Sequence, residues 1–150
     1  MMVCYNGRNL QVLDELTMKS DEKHMTRVLL VDDDDKIVRF LALKLKLFGY
    51  DLATAANGRE GLEMLKASNP DVIVLDILMP IMDGFEMLQQ LRSFSNLPVI
   101  VLSAKGDNAD RAMELGANDF ISKPFKPDEL VEKIEANLDH RGKPFKVTEH

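Results

Sequence analysis

Three apolar runs in this chain stop at polar residues suited to the same chemistry. Asp32, Asp33, Asp34 and Asp35 follow Val28-Leu29-Leu30-Val31. Asp76 follows Val72-Ile73-Val74-Leu75, and Lys123 follows Phe120-Ile121-Ser122 and precedes Pro124. Each run is short and bounded by polar or turn residues, the pattern of a buried strand. In an open parallel sheet, ligands bind outside the carboxyl ends of the strands. The ends of strands one, three, four and five would therefore gather Asp32, Asp33, Ser103 and Lys123 around Asp76. Clustered carboxylates repel one another, which raises their pKa values unless a cation neutralises them. A hard divalent ion, Mg2+ with Mn2+ as a substitute, suits carboxylate, carbonyl and water ligands. Lysine and a serine hydroxyl suit phosphoryl oxygens. The chemistry implied is metal-assisted phosphoryl transfer onto a carboxylate nucleophile.

The elements needed to position these groups alternate along the chain. Strand one is read at Arg27–Val31. A helix from about Asp35 to Phe48 carries Ile37, Phe40, Leu41, Leu45 and Phe48 at helical spacing and ends at Gly49. Strand two is Tyr50–Thr54, and helix two starts after Asn57 and stops at Asn69-Pro70 ahead of strand three. Pro80–Gly84 is a turn leading into a third helix with Phe85, Met87, Leu88 and Leu91 inward. Strand four is Val99–Leu102, and a fourth helix covers about Asn108–Leu115. Strand five is Asp119–Ser122, and the last helix runs from Pro127 to about Leu138. Five βα units demand an α/β fold with a parallel sheet and helices on both faces.

Composition bounds the class. The 150 residues suit one main domain, and hydrophobic and charged fractions of 45% and 29% are those of an ordinary globular protein. The net charge of -6 argues against direct nucleic-acid binding. No apolar run approaches a membrane span, and no secretory leader is legible. The lone Cys4 cannot form an internal disulfide, which fits a reducing cytoplasm. Residues 1–25 read as an N-terminal extension with a short helix around Asn9–Met18, partly disordered. Residues 26–138 read as the domain, and 139–150 as a tail or linker.

In order, Val31-Asp32-Asp33, Leu75-Asp76-Ile77-Leu78-Met79-Pro80 with Met82-Asp83-Gly84-Phe85, Leu102-Ser103-Ala104, and Leu115-Gly116-Ala117 through Lys123-Pro124-Phe125 resemble the receiver domains of two-component response regulators. The resemblance covers about Thr26–Leu138. It implies the doubly wound (βα)5 fold of flavodoxin and CheY, with strand order 2-1-3-4-5. By position, Asp76 would be the phosphoacceptor, taking its phosphoryl group from a sensor histidine kinase or phosphotransfer protein. Asp32, Asp33, Asp76 and the backbone carbonyl of Leu78 would hold Mg2+. Ser103 and Lys123 would bind phosphoryl oxygens, with Phe120 reporting the state to the face of the fourth helix, fifth strand and fifth helix. The Lys123–Pro124 bond would be cis. Such a protein is a signalling switch and not a turnover enzyme. The resemblance also implies homodimerisation through the output face, against which the short spacing of 20 positions from Ser103 to Lys123 counts. Two arrangements are open, a single-domain regulator that docks to a partner or part of a longer chain with a DNA-binding output domain, and the linker-like tail favours the second.

Other residues take plainer readings. Asp34 and Asp35 suit the start of helix one, where negative charge meets the helix dipole. The nine methionines mostly fill core gaps on helices. His24, His140 and His150 have no ligand spacing, and Lys44 and Lys46 lie on a solvated face. Leu78 and Lys105 flank the approach of water to Asp76, and an apolar Leu78 cannot orient that water, so phosphate loss should be slow. Two rival classes are weighed. A haloacid-dehalogenase-like phosphatase would use Asp32 or Asp33 as nucleophile, but the acidic residues Asp107 and Asp110 precede Lys123, which is the wrong order, and no cap segment is present. A phosphorylation-independent pseudo-receiver would lack an acidic-pair member, the acceptor or the lysine, and all three are here.

Overall fold

The computed structural model describes residues 25–104 and 107–138. Cys4, the helix read around Asn9–Met18, all three histidines, Lys105 and the tail 139–150 lie outside them. Five strands are present: β1 (Arg27–Val31), β2 (Asp51–Ala55), β3 (Val72–Asp76), β4 (Val99–Ser103) and β5 (Asp119–Ser122). They form one parallel sheet in the order β2-β1-β3-β4-β5. The helices are α1 (Asp35–Leu47), α2 (Gly58–Ser68), α3 (Gly84–Arg92), α4 (Asp107–Glu114) and α5 (Pro127–Ala136). This is the α/β architecture expected from the alternating strand and helix signals.

The pleat sorts the strand residues into two cores. Leu29, Val31, Ile73, Leu75, Val99 and Val101 face Leu62, Leu65, Phe85, Met87, Leu88 and Ala112, which belong to α2, α3 and α4. Val28, Leu30, Val72, Val74, Ile100 and Leu102 face Leu41 and Leu45 of α1 and Leu130 and Ile134 of α5. A strand covered on both faces has no polar side to show, hence the near-continuous apolar runs.

Several boundaries move by a residue or two. β2 starts at Asp51 because the Tyr50 ring is in the α1–α5 core and its amide bonds Leu45 O at the end of α1. β3 and β4 reach one residue further, to Asp76 and Ser103, so both residues belong to the sheet. α5 ends at Ala136, although Leu138 still packs in the core.

Two of the apolar residues at helical spacing lie outside the core. Phe40 and Phe48 are each 50% exposed. Around the helix, Leu41 and Leu45 point to the sheet, and Phe40 joins Leu43 and Leu47 on a second, outward apolar stripe. Lys44 extends over the Phe40 ring, 5.8 Å from its centroid. Among the described methionines only Met87 is fully buried; Met25 and Met113 are exposed, and Met64, Met79 and Met82 sit at the core margin.

Helix starts obey local chemistry. Asp34 caps α1, its carboxylate accepting from the amides of Lys36 and Ile37 at 3.0 and 3.3 Å, with Asp35 in the first turn. Asp83 caps α3 through Glu86 N. Gly84 opens α3 against β3: its amide donates to Ile77 O at 2.8 Å, and a Cβ there would stand 2.3 Å from the Asp76 carbonyl oxygen.

Candidate phosphoryl-transfer site

The strand order sets the site. β1 and β3 are neighbours, with Val31 opposite Leu75, so Asp32 and Asp76 emerge side by side. Oxygens of Asp32, Asp33 and Asp76 come within 4.8 Å of one another. Asp32 and Asp76 are buried, whereas Asp33 is exposed. Lys123 follows β5 and reaches across to donate to Asp76 Oδ1 at 3.1 Å, with its Nζ 3.7 Å from Asp32 Oδ2. Its backbone amide donates to Ser103 O at 2.8 Å, anchoring the lysine to the end of β4. The Lys123–Pro124 peptide bond is cis.

Asp32 is only half satisfied. Its Oδ1 accepts from the Asp34 amide at 2.9 Å, while its buried Oδ2 has no hydrogen bond. Burial pushes the Asp32 carboxyl above its ordinary value, more than the Asp34 amide and the Lys123 charge pull it down. Burial likewise raises Asp76, and the charge of Asp32 adds to it against the Lys123 bond. For Lys123 burial works against the charged form, but its bond to Asp76 and the two carboxylate charges outweigh it, and the pKa rises. One lysine thus answers two buried carboxylates. A buried polar atom without a partner costs on the order of 1–3 kcal/mol. A buried oxygen with an ion-pair neighbour but no hydrogen bond, beside two more carboxylates, is a donor set that fits a hard divalent cation.

The remaining expected residues are placed as follows. Ser103, buried at the end of β4, pairs in register with Ser122, one residue before Lys123. Phe120 is half-buried on β5 against the α2–α3–α4 cluster. Leu78 lies two residues past Asp76, with its side chain 66% exposed. Two contributors carried no motif. Asn108 of α4 donates its amide to Ser103 Oγ at 2.8 Å. Arg92 at the end of α3 donates to the carbonyls of Gly116, Ser95 and Leu97 and to Asn118 Oδ1, tying α3 to the approaches of β4 and β5. An asparagine at a helix start and an arginine at a helix end are commonplace, and nothing in the sequence marked either.

A doubly wound sheet in this order, with paired acids, a third aspartate one strand over and a lysine before a cis proline, defines a receiver domain. The chain belongs to the response regulator receiver domain family, whose sequence model matches residues 28–135. It is 42% identical over 125 residues to a probable transcriptional regulator, ycf27, of Cyanophora paradoxa, covering 82% of this chain and 52% of that protein. The chain spans about half the length of the curated relatives it matches. Among solved structures, the Francisella response regulator 1452 receiver domain superposes with a TM-score of 0.70 at 38% identity, over 74% of this chain and 94% of that one. A CheY-like receiver domain protein from Methanospirillum hungatei gives 0.73 at 30% identity, over 79% and 97%. Receiver domains are signalling switches that work with histidine kinases and bind Mg2+ at an acidic pocket. No helix among the described residues is long and apolar enough to cross a membrane.

Proposed function

We propose that Asp76 accepts a phosphoryl group from a phosphohistidine on a sensor histidine kinase or phosphotransfer protein, with Mg2+ held by Asp32, Asp33, Asp76 and the Leu78 carbonyl. The observation that carries this is the pairing of Asp76 with Lys123 beside the unsatisfied Asp32 oxygen. A carboxylate oxygen of Asp76 attacks phosphorus, and the P–N bond breaks with its electron pair left on the imidazole. Bound Mg2+ supplies positive charge to the phosphoryl oxygens in transfer. Lys123, freed from its contact with Asp76, follows the charge onto a phosphoryl oxygen, and Ser103 donates to another. Attack of water on phosphorus later restores the carboxylate, so the chain catalyses its own phosphorylation and reset without turning over a metabolite. Relatives named as transcriptional regulators, about twice as long as the region matched, support a DNA-binding output domain as the target of the switch in a longer protein. Homodimerisation through α4, β5 and α5 would serve that output, with the eight-residue α4 leaving a small contact surface.

The test is labelling with acetyl phosphate and Mg2+, followed by peptide mapping. The label is expected on Asp76, lost in Asp76→Asn and lost on chelation. A label on Asp32 or Asp33 that survives Asp76→Asn would support the phosphatase reading, and absence of both Mg2+ binding and labelling would support a pseudo-receiver.

A further inference from the structure

We infer that Asn108 is a latch that couples the first turn of α4 to the state of Asp76, through its hydrogen bond to Ser103. This rests on the proposed phosphorylation of Asp76. Asn108 Nδ2 donates to Ser103 Oγ at 2.8 Å, joining the first turn of α4 to the last residue of β4. The Ser103 hydroxyl is thereby held toward α4. Pleat parity agrees: Ser103 shares the face of Val99 and Val101, the side covered by α2, α3 and α4, whereas Asp76 has the parity of Val72 and Val74, on the other face.

To donate to a group on Asp76, the Ser103 hydroxyl must turn from α4 toward the neighbouring strand end. A side-chain hydroxyl at the end of a strand has few staggered positions, so this turn is a rotamer change that gives up the Asn108 geometry. The two arrangements exclude each other: Ser103 bonded by Asn108 with α4 tied to β4, or Ser103 on the phosphoryl group with the first turn of α4 released. Linkage then requires reciprocity. Whatever the latch contributes to holding α4, it subtracts from the affinity of the site for a phosphoryl group. Asn108 touches no reacting atom and is a positioning residue. It is only half-buried, so removing it should not threaten the fold.

The experiment uses the full chain with Mg2+ and beryllofluoride, a non-transferable phosphoryl mimic, and compares the native protein with Asn108→Ala and Asn108→Leu. The leucine keeps bulk without a donor. Two quantities are read: beryllofluoride affinity by fluoride NMR, and amide hydrogen exchange across Asp107–Glu114. In the native protein the first turn of α4 should exchange faster once beryllofluoride binds. In both variants it should already exchange faster without the ligand and change little on binding, and affinity should rise about two- to tenfold, the range one net hydrogen bond supports. Unchanged or weaker affinity in the variants, or exchange in α4 of the native protein that ignores the ligand, would overturn the latch. Failure of native protein to bind beryllofluoride at all would instead strike at Asp76 as acceptor, so the two ideas fail separately.

Discussion

Lys123 and Asp76, 47 positions apart in the chain, are joined by a 3.1 Å bond between Nζ and Oδ1. The bond crosses the end of β4, because β3 and β5 are not neighbours in the sheet. Lys123 therefore balances buried carboxylates at rest, and under the proposed function it would also meet phosphoryl charge. Lys123→Met separates the two roles. It should leave the fold intact and tighten Mg2+ binding by removing a competing cation. Labelling of Asp76 by acetyl phosphate should slow about 100-fold, the scale of losing one oriented donor at developing negative charge. A labelling rate within a factor of about two of native would remove the lysine from the reaction.

Asp32 should cost the ion-free protein stability. Its carboxyl is raised above 3.8 by burial, so the folded state holds its proton at higher pH than the unfolded chain. Above that raised value the charge opposes folding, and the penalty is relieved as pH falls through it toward 3.8. In chelator at neutral pH, Asp32→Asn should stabilise the domain by about 1 kcal/mol, measured by urea unfolding. The gain should shrink as the solution is acidified, and destabilisation at neutral pH would contradict the assignment.

Mg2+ affinity should fall with acid sooner than ordinary carboxylates predict. Asp32 and Asp76 are both raised, so protons compete with the cation above the usual carboxylate range. Calorimetric titration in two buffers of different ionisation heat should show proton release on Mg2+ binding, increasing as pH is lowered from neutrality. A binding heat independent of buffer at mildly acid pH would mean that the carboxylates are not so perturbed.

The label on Asp76 should persist for minutes or longer. Leu78 stands two residues from Asp76, the proposed acceptor, with 66% of its surface exposed, and offers no polar atom on its side chain to align a water. Phosphate release followed after removal of the donor, with Mg2+ present, tests this directly. Loss within a few seconds would show that another group positions the water.

Gly84 should tolerate no side chain. A methyl group there meets the Asp76 carbonyl oxygen at 2.3 Å and Ile77 Cα at 2.9 Å, both backbone atoms of the acceptor segment. Gly84→Ala should cost about 2–3 kcal/mol in urea unfolding and weaken Mg2+ binding by shifting the Asp76 main chain. Native stability in that variant would mean that α3 can slide freely on β3.

Much of this was legible because it is local. Branched apolar runs mark the strands, since a strand buried on both faces has one kind of side chain throughout. Asp34 announced its cap by standing just ahead of a helical pattern. What was not legible depends on how elements sit against each other. Phe40 and Leu41 are adjacent in sequence, and both fit a helical apolar period. Only the packing of α1 on the sheet decides that Leu41 is buried and Phe40 is not. The Asn108–Ser103 bond likewise depends on where a short helix lands after a loop. The roles expected of Asp76, Ser103 and Phe120 came from ordered motifs resembling a family, whereas residue types at strand ends offered the class of chemistry without assigning each residue its part.

The sheet order carries a consequence for biogenesis. The acids come from β1 and β3, but their counter-cation follows β5, the last strand made and an edge of the sheet. Until the segment through Lys123 has emerged and paired, a nascent domain holds two carboxylates beside its core with no lysine to answer them. The ion pair therefore forms only once the chain through the end of the sheet has been made. A chain stopped after β4 would leave Asp32 and Asp76 without the cation that answers them in the whole domain.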